Sequence, residues 1–334
     1  MEKVSSNIEE NIKVNFDYEY QLQGKSKPEI RKNLDYLFFI SKDSQNKVLI
    51  TDNIFCDDYI NYLEEICGHK LNWKNNSVKS TYWWGNLEDL ERKKFLNDKE
   101  TVLKLNNENY QTITEFSQLE KLSEMSFCKS AFSFSGNGSC KLPKELKKAK
   151  YLLRKSKLLQ MPYYNIQSEF GRIFTKRNGK LILLNSYQNT INKGIYRGSQ
   201  VSNEISQKYQ NLDQSYLEKL KTLPIKEGET FQIDGFEYLD KSNKIKVKDI
   251  SEINFRKTMT VFLLGIMKKL NVKKCDFNNI QLEIFKNDDK YSTFSQKLLS
   301  YKHKNILFDG IEGVIPVSPI DSIFQVLIKI KKNT

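Results

Sequence analysis

Short apolar runs alternating with amphipathic helical stretches predict a mixed α+β protein, and three observations carry that reading. Tyr36-Leu37-Phe38-Phe39-Ile40 and Val48-Leu49-Ile50 read as buried strands followed by an amphipathic helix, which makes the first third a small α/β unit. Residues 166–175 and 181–184 flank the turn Arg177-Asn178-Gly179-Lys180, a β-hairpin signal. Two apolar stretches, Phe231-Gln232-Ile233-Asp234-Gly235-Phe236 and Ile250-Ser251-Glu252-Ile253-Asn254-Phe255-Arg256, read as strands that precede a helix.

Taken in order, residues 1–32 are polar and read as a loosely held arm. The first helix is expected over residues 57–67, with Asp57 near its N-cap and Gly68 at its end. Thr81-Tyr82-Trp83-Trp84-Gly85 is short and aromatic, and a charged helix follows over 87–95. Residues 125–132 form a strand, 133–139 a Ser/Gly loop, 144–158 a basic helix and 158–162 a short strand. The Lys and Arg of that basic helix read as a solvated face. A long helix is expected over 203–223. In 257–270, Met259, Phe262, Leu263, Ile266, Met267 and Leu270 recur at helical spacing, the stripe of a core helix. Residues 311–330 read as strand, Pro-containing turn and strand. No internal repeat is seen.

Of the 334 residues, 39% are hydrophobic and 12% aromatic, enough for a sizeable core and for two or three domains. No apolar stretch near the start has the form of a secretory signal, and the longest apolar run, 261–267, is too short to span a bilayer. Five Cys without paired spacing indicate neither a zinc site nor a disulfide framework. The expectation is a cytoplasmic protein. Net charge is +13, but the basic residues are mostly Lys scattered along the chain, whereas nucleic-acid surfaces favour clustered Arg and Lys with aromatic platforms. Anionic small substrates such as nucleotides suit the balance better. With only His69 and His303, His-dependent mechanisms are disfavoured, and His69 beside Gly68 reads as a surface or cap residue.

Two constellations carry chemistry. On a strand, Glu252, Asn254 and Arg256 point the same way. With Asp234 on a neighbouring strand they would make an oxygen-ligand site suited to Mg²⁺ with phosphates. The plainer alternative keeps Asp234 as a strand-end turn acid and Glu252–Arg256 as an ion pair; Asn254, disfavoured in strands, has no part in that version. In the loop 133–139, Ser135, Gly136, Asn137 and Gly138 would let backbone N–H groups approach phosphate oxygens, although a hairpin turn has the same composition. Lys129, in the otherwise apolar strand just before, is costly there unless paired or bound to an anion.

Together these parts resemble the ATP-grasp superfamily over roughly residues 95–272. The matching pieces are Lys129, the loop 133–139, Leu159-Gln160-Met161-Pro162, and Asp234 followed by Glu252-Ile253-Asn254-Phe255-Arg256-Lys257-Thr258-Met259. The resemblance implies an ATP-grasp fold, two α+β subdomains clasping ATP, behind an N-terminal α/β domain. The implied division is an arm over 1–32, an N-terminal domain over 33–98, a small subdomain over 99–162 and a large one over 163–334. It further implies that Lys99 and Lys129 contact the phosphates, and that Gln160, Met161 and Pro162 form an adenine hinge. Many relatives begin that hinge with Glu, so Gln160 is a departure. Glu169 would be a ribose- or phosphate-side partner. Asp234, Glu252 and Asn254 would ligate Mg²⁺ (or Mn²⁺), and Arg256 would stabilise transferred charge as the catalytic group.

The implied activity is an ADP-forming carboxylate–amine ligase that makes an acyl-phosphate and then a C–N bond. Its partners would be ATP, a carboxylate-bearing small molecule or peptide and an amine acceptor, with a homo-oligomer left open and no membrane. Two alternatives stand beside it: an ATP-binding regulatory module without catalysis, and a basic nucleic-acid-binding protein. Tyr163, Tyr164, Tyr196 and the Trp83–Trp84 pair are candidate pocket linings, and residues 194–198 with Arg197 a candidate substrate-side loop.

Overall fold

The structure, a computed structural model, describes residues 10–26, 34–75, 79–121, 125–133, 138–192, 195–270, 277–288 and 291–332. The chain divides into two compact units. One comprises Met1–Tyr18, Lys27–Asn86 and Met259–Thr334, the other Glu19–Ser26 and Leu87–Thr258. The expected division at 163–334 therefore shifts: residues from Met259 onward group with the N-terminal segments, and the unit carrying Asp234 and Glu252 ends at Thr258.

The chain enters through β1 (Glu10–Lys13), within the stretch expected to be a loose arm. Ile12, Val14 and Phe16 are buried, and so is Asn15, whose amide donates to the Gly85 carbonyl at 2.8 Å and accepts from the Gly85 N–H at 3.1 Å. Polarity misled here because a buried amide with both hydrogen bonds made is well tolerated. A four-residue helix follows, α1 (Tyr18–Gln21). Asp35–Ile40 is a 3₁₀ helix rather than a strand. All six of its residues are buried, so no alternation was available to tell a strand from a helix. Then come β2 (Lys47–Ile50), α2 (Asp57–Cys67), β3 (Asn72–Lys74) and β4 (Thr81–Tyr82). The N-cap of α2 is Cys56, one residue before the expected Asp57, and Gly68 closes the helix at φ 69°. The four strands form a parallel sheet in the order β3-β2-β1-β4, the expected α/β unit. Trp83 and Trp84, candidate pocket linings, are buried core residues. Trp84 packs on Phe16 at 4.6 Å, and Trp83 meets Phe38 edge-on at 5.3 Å.

The second unit begins with α3 (Leu90–Asn97) and α4 (Lys99–Leu105). Its small antiparallel sheet has the order β5-β8-β6-β7, built from β5 (Gln111–Ile113), β6 (Ser126–Ser130), β7 (Ser139–Leu142) and β8 (Leu158–Pro162). Two helices pack on it, α5 (Phe116–Glu120) and α6 (Leu146–Leu153), the latter shorter than the expected 144–158. The hairpin signal at 177–180 joins β9 (Asn165–Arg177) to β10 (Lys180–Asn192), strands far longer than expected.

Ile195–Val201 is β11, a strand paired to β10, so the described part of 194–198, including Arg197, is sheet and not a loop. The long helix expected over 203–223 is two, α7 (Asn203–Lys208) and α8 (Gln214–Lys221). Ser202 and Asp213 cap them, and buried Arg172 takes up the carbonyls of Tyr209 (2.7 Å) and Asn211 (2.8 Å) at the break. Then β12 (Thr230–Leu239) pairs with both β9 and β13 (Ile245–Asn254). Within this unit the strands run β13-β12-β9-β10-β11, each antiparallel to its neighbour.

The chain returns to the first unit with α9 (Thr260–Lys269), which carries the expected apolar stripe. A Cβ on Gly265 would stand 2.4 Å from the Ile40 carbonyl oxygen, so glycine lets α9 lie directly on the 3₁₀ segment. The last elements are β14 (Phe277–Lys286), α10 (Phe294–His303), β15 (Gly313–Pro316) and β16 (Phe324–Lys332), with β16 antiparallel to both β14 and β15.

Candidate functional site

Register places the acids. Asp234 on β12 is the direct cross-strand partner of Glu252 on β13, and Gln232 that of Asn254. Cross-strand partners share a face, so two carboxylates and two carboxamides crowd one patch of sheet. Asn254 donates its amide N–H to Asp234 Oδ2 at 2.7 Å, and Gln232 donates to Asp234 Oδ1. Gln232 Oε1 is buried with no hydrogen-bond partner among the described residues.

Basic residues reach the patch from the other elements of the unit. Lys99 is the first residue of α4, whose N-cap Asp98 accepts from the Glu100 N–H at 2.8 Å. Lys129 stands on β6, opposite Ser139 and Leu159. Both ammonium groups converge on Glu252 Oε2, at 3.5 Å from Lys99 and 3.8 Å from Lys129. Lys99 also donates to Ser133 Oγ, where the Ser/Gly loop departs. A Cβ on Gly138, at the return of that loop, would meet Ser133 Cβ at 2.1 Å, so the two ends approach closely only because residue 138 is glycine. Ser135, Gly136 and Asn137 lie outside the described residues.

Arg256 follows the end of β13. Its Nε donates to Glu19 Oε1, and its Nη1 to the Lys257 carbonyl at 3.0 Å. The Asn97 carboxamide pins this corner by accepting from the Phe255 N–H at 2.9 Å.

Electrostatics sort these groups into two kinds. Burial pushes Asp234 up, the Glu252 charge adds to that, and its carboxyl is raised to about 7 despite the Gln232 hydrogen bond and Arg256. Glu169, on β9, is also raised by burial and by Glu252, with Lys129 opposing. For Glu252 burial pulls upward as well, but Lys99, Lys129 and Arg256 outweigh it and hold the group below its usual value. Burial lowers Lys99, with Glu252 resisting and Lys129 adding to the fall. The patch thus holds an ionised Glu252 shared by two lysines beside acids short of positive charge.

A hard cation suits that shortage. Asp234 and Glu252 offer carboxylate oxygens and Asn254 a carboxamide oxygen, the donor chemistry Mg²⁺ takes. Burial and the Glu252 charge raise Asp234, and a cation bound there would lower it again. No three His, Cys, Asp or Glu side chains among the described residues form a metal cage alone.

Of the residues singled out from sequence, Lys99, Lys129, Gly138, Glu169, Asp234, Glu252, Asn254 and Arg256 all lie in this one unit around the patch and the base of the loop. Gln160, Met161 and Pro162 lie on β8, paired with β6 beside Lys129; Met161 packs with Leu103 and Leu159, near Tyr110 and Phe127. Tyr163 accepts from Lys141 Nζ at 3.1 Å, and Tyr164 packs on Phe236 and Tyr238. Tyr196 is half-buried on β11 and shares a 2.7 Å hydrogen bond with Ser199. Sequence reasoning missed Glu19, Gln232 and Asn97. The spacing Gln232-x-Asp234 was a usable signal for one of them; Glu19, distant in sequence, gave none.

The fold is the ATP-grasp fold. No family model matches the chain, and no curated protein matches it. Solved structures do. N5-carboxyaminoimidazole synthetase from Staphylococcus aureus superposes with a TM-score of 0.54 at 13% identity, over 97% of this chain and 94% of that one. The same enzyme complexed with ADP gives 0.52 at 13%, over 98% and 95%. An ADP complex of N5-carboxyaminoimidazole ribonucleotide synthetase gives 0.52 at 12%, over 97% and 92%.

Proposed function

We propose that this chain is an ADP-forming ATP-grasp ligase that activates a substrate carboxylate and joins it to an amine. The observation that carries this reading is the meeting of Lys99 and Lys129 on Glu252, directly beside the Asp234–Asn254 pair. Two lysines that share one carboxylate are short of negative charge once phosphates are considered, and the neighbouring acids are short of positive charge. Mg²⁺-bound ATP supplies both. Two neighbours of similar fold are ADP complexes, which supports a nucleotide-binding reading.

In this reading Lys99 and Lys129 bind phosphate oxygens, and the ends of the loop at Ser133 and Gly138 bring backbone N–H groups to the same phosphates. The β8 segment Gln160-Met161-Pro162 holds the adenine, and Glu169 lies on the ribose or phosphate side. Asp234, Glu252 and Asn254 would hold Mg²⁺, which when bound neutralises phosphate charge. Arg256 stabilises the charge of the phosphoryl group as it passes to the substrate carboxylate, and the amine then displaces phosphate from the acyl-phosphate. Positioning and fixed charge do this work without a nucleophilic side chain.

The test is in two parts. Thermal stabilisation is measured with Mg²⁺ and ATP together and with each alone, then ADP release is screened over amino acids and small peptides. Stabilisation by the pair, with ADP release in at least one mixture, is expected. Stabilisation without ADP in any mixture would make the chain a binding module. Salt-sensitive RNA or DNA binding that ATP leaves untouched would overturn the nucleotide reading.

A further inference from the structure

We propose that Glu19 is the positioning residue for the Arg256 guanidinium, an inference that rests on the nucleotide reading of the site. Glu19 and Arg256 are far apart in sequence, yet their side chains are only 8% and 11% exposed and form one buried ion pair. The guanidinium is fixed on two edges, Nε by Glu19 and Nη1 by the Lys257 carbonyl. A fork held on two edges has its plane defined, which a planar donor needs in order to meet a phosphoryl group.

The pair also does something a purely structural pair would not. Arg256 feels the charges of Glu252 and Asp234, the acids that a cation would need open. Glu19 draws the guanidinium to itself and so keeps it from settling on them. One oxygen suffices for this: Glu19 Oε2 is buried without a hydrogen-bond partner among the described residues. Lys99 feels the Glu19 charge too, so the carboxylate balances the phosphate-facing cations from the segment that precedes this unit's main stretch.

The experiment is a double-mutant cycle on the full chain, with Mg²⁺–ATP affinity measured by calorimetry for wild type, Glu19→Gln, Arg256→Ala and the double variant. The Arg256 Nε–H resonance is followed by NMR in wild type and Glu19→Gln. Glu19→Gln keeps size and an acceptor oxygen and removes the charge, so circular dichroism is expected to show an intact fold. The expected result is about 10- to 100-fold weaker binding in each single variant, with no further loss in the double. The Nε–H signal should shift and exchange faster in Glu19→Gln. Full additivity, unchanged affinity, or an unmoved Nε–H signal would each overturn the positioning role. A wild type that binds no Mg²⁺–ATP at all would instead overturn the nucleotide reading and this proposal with it.

Discussion

Two half-buried charge clusters in the second unit make an instructive contrast. In the first, Glu229 takes a two-pronged hydrogen bond from Arg92, both arms at 2.9 Å, and further bonds from the Lys93 ammonium and, at 2.8 Å, the Lys226 N–H. Burial alone would raise Glu229, but Arg92 and Lys93 outweigh it and hold the carboxyl at about 2. In the second, Asp234, Glu252 and Glu169 share cations unevenly, and Asp234 is left at about 7. The same residue types are settled in one place and frustrated in the other. A cluster that is complete by itself holds the fold; a cluster whose charges do not close is a candidate for binding.

Four substitutions test that contrast, in falling order of effect. Glu252→Gln strips Lys99 and Lys129 of their shared carboxylate and, on the proposed reading, removes a metal ligand. ADP formation should drop about 10²- to 10³-fold, the loss of roughly 3–4 kcal/mol typical of one essential electrostatic group, while circular dichroism stays native. Unchanged turnover would remove Glu252 from the site.

Glu229→Gln should do the reverse. Chemical denaturation should show about 3 kcal/mol of lost stability, because buried Lys93 loses its carboxylate and Arg92 keeps only Asp89 and the Pro224 carbonyl, with nucleotide affinity of the folded protein unchanged. The sign of its pH dependence follows from a lowered carboxyl. The contribution of Glu229 is fully present above about pH 4.3 and is lost as pH falls toward 2. Equal acid sensitivity of wild type and variant would refute the clamp.

Asp234→Asn inverts the argument. A carboxyl at about 7 in the folded protein and about 3.9 unfolded destabilises the fold progressively as pH rises from about 4 to 7. The variant should therefore be more stable than wild type at pH 8 without Mg²⁺, by about 1–2 kcal/mol once partial solvent access is allowed for, and the gain should vanish near pH 4. Stabilisation of wild type by Mg²⁺ with ATP should be lost in the same variant. A wild type that is the more stable of the two at pH 8 would show that Asp234 is not frustrated.

The smallest effect is expected at Glu218, whose partner Lys221 and itself are half exposed. Glu218→Gln should leave stability unchanged within the error of the same denaturation assay. A larger loss would mean that ion pairing itself, and not burial with completeness, separates the two clusters.

Much of the site was legible because strand periodicity is rigid. Once Asp234 and Glu252-x-Asn254 are read as strands, their common face follows, and the direct Asp234–Glu252 pairing agrees with it; Arg256, expected on the same strand face, lies beyond the end of β13. Lys129 stood out because an unpaired Lys in an apolar strand is costly, and its closeness to Glu252 accounts for it. The 3₁₀ turn at Asp35–Ile40 was hidden for the opposite reason: with every side chain buried, the pattern has no phase. The break between α7 and α8 was hidden because its exposed carbonyls are satisfied by Arg172, a residue well upstream on β9.

The sequence by itself determined the alternating strand faces, the amphipathic helices, the hairpin at 177–180 and the chemical character of the site, since all of these depend on neighbours within a few residues. Only the tertiary structure decided how charges pair across long separations. It placed Lys99 and Lys129 on one carboxylate, tied Arg256 to Glu19 from a stretch that reads as a polar arm, and grouped the C-terminal residues with the N-terminal sheet. Local pattern records which face of an element is wet or dry. It does not record which distant charge completes a buried one, because that depends on where the whole chain brings them together.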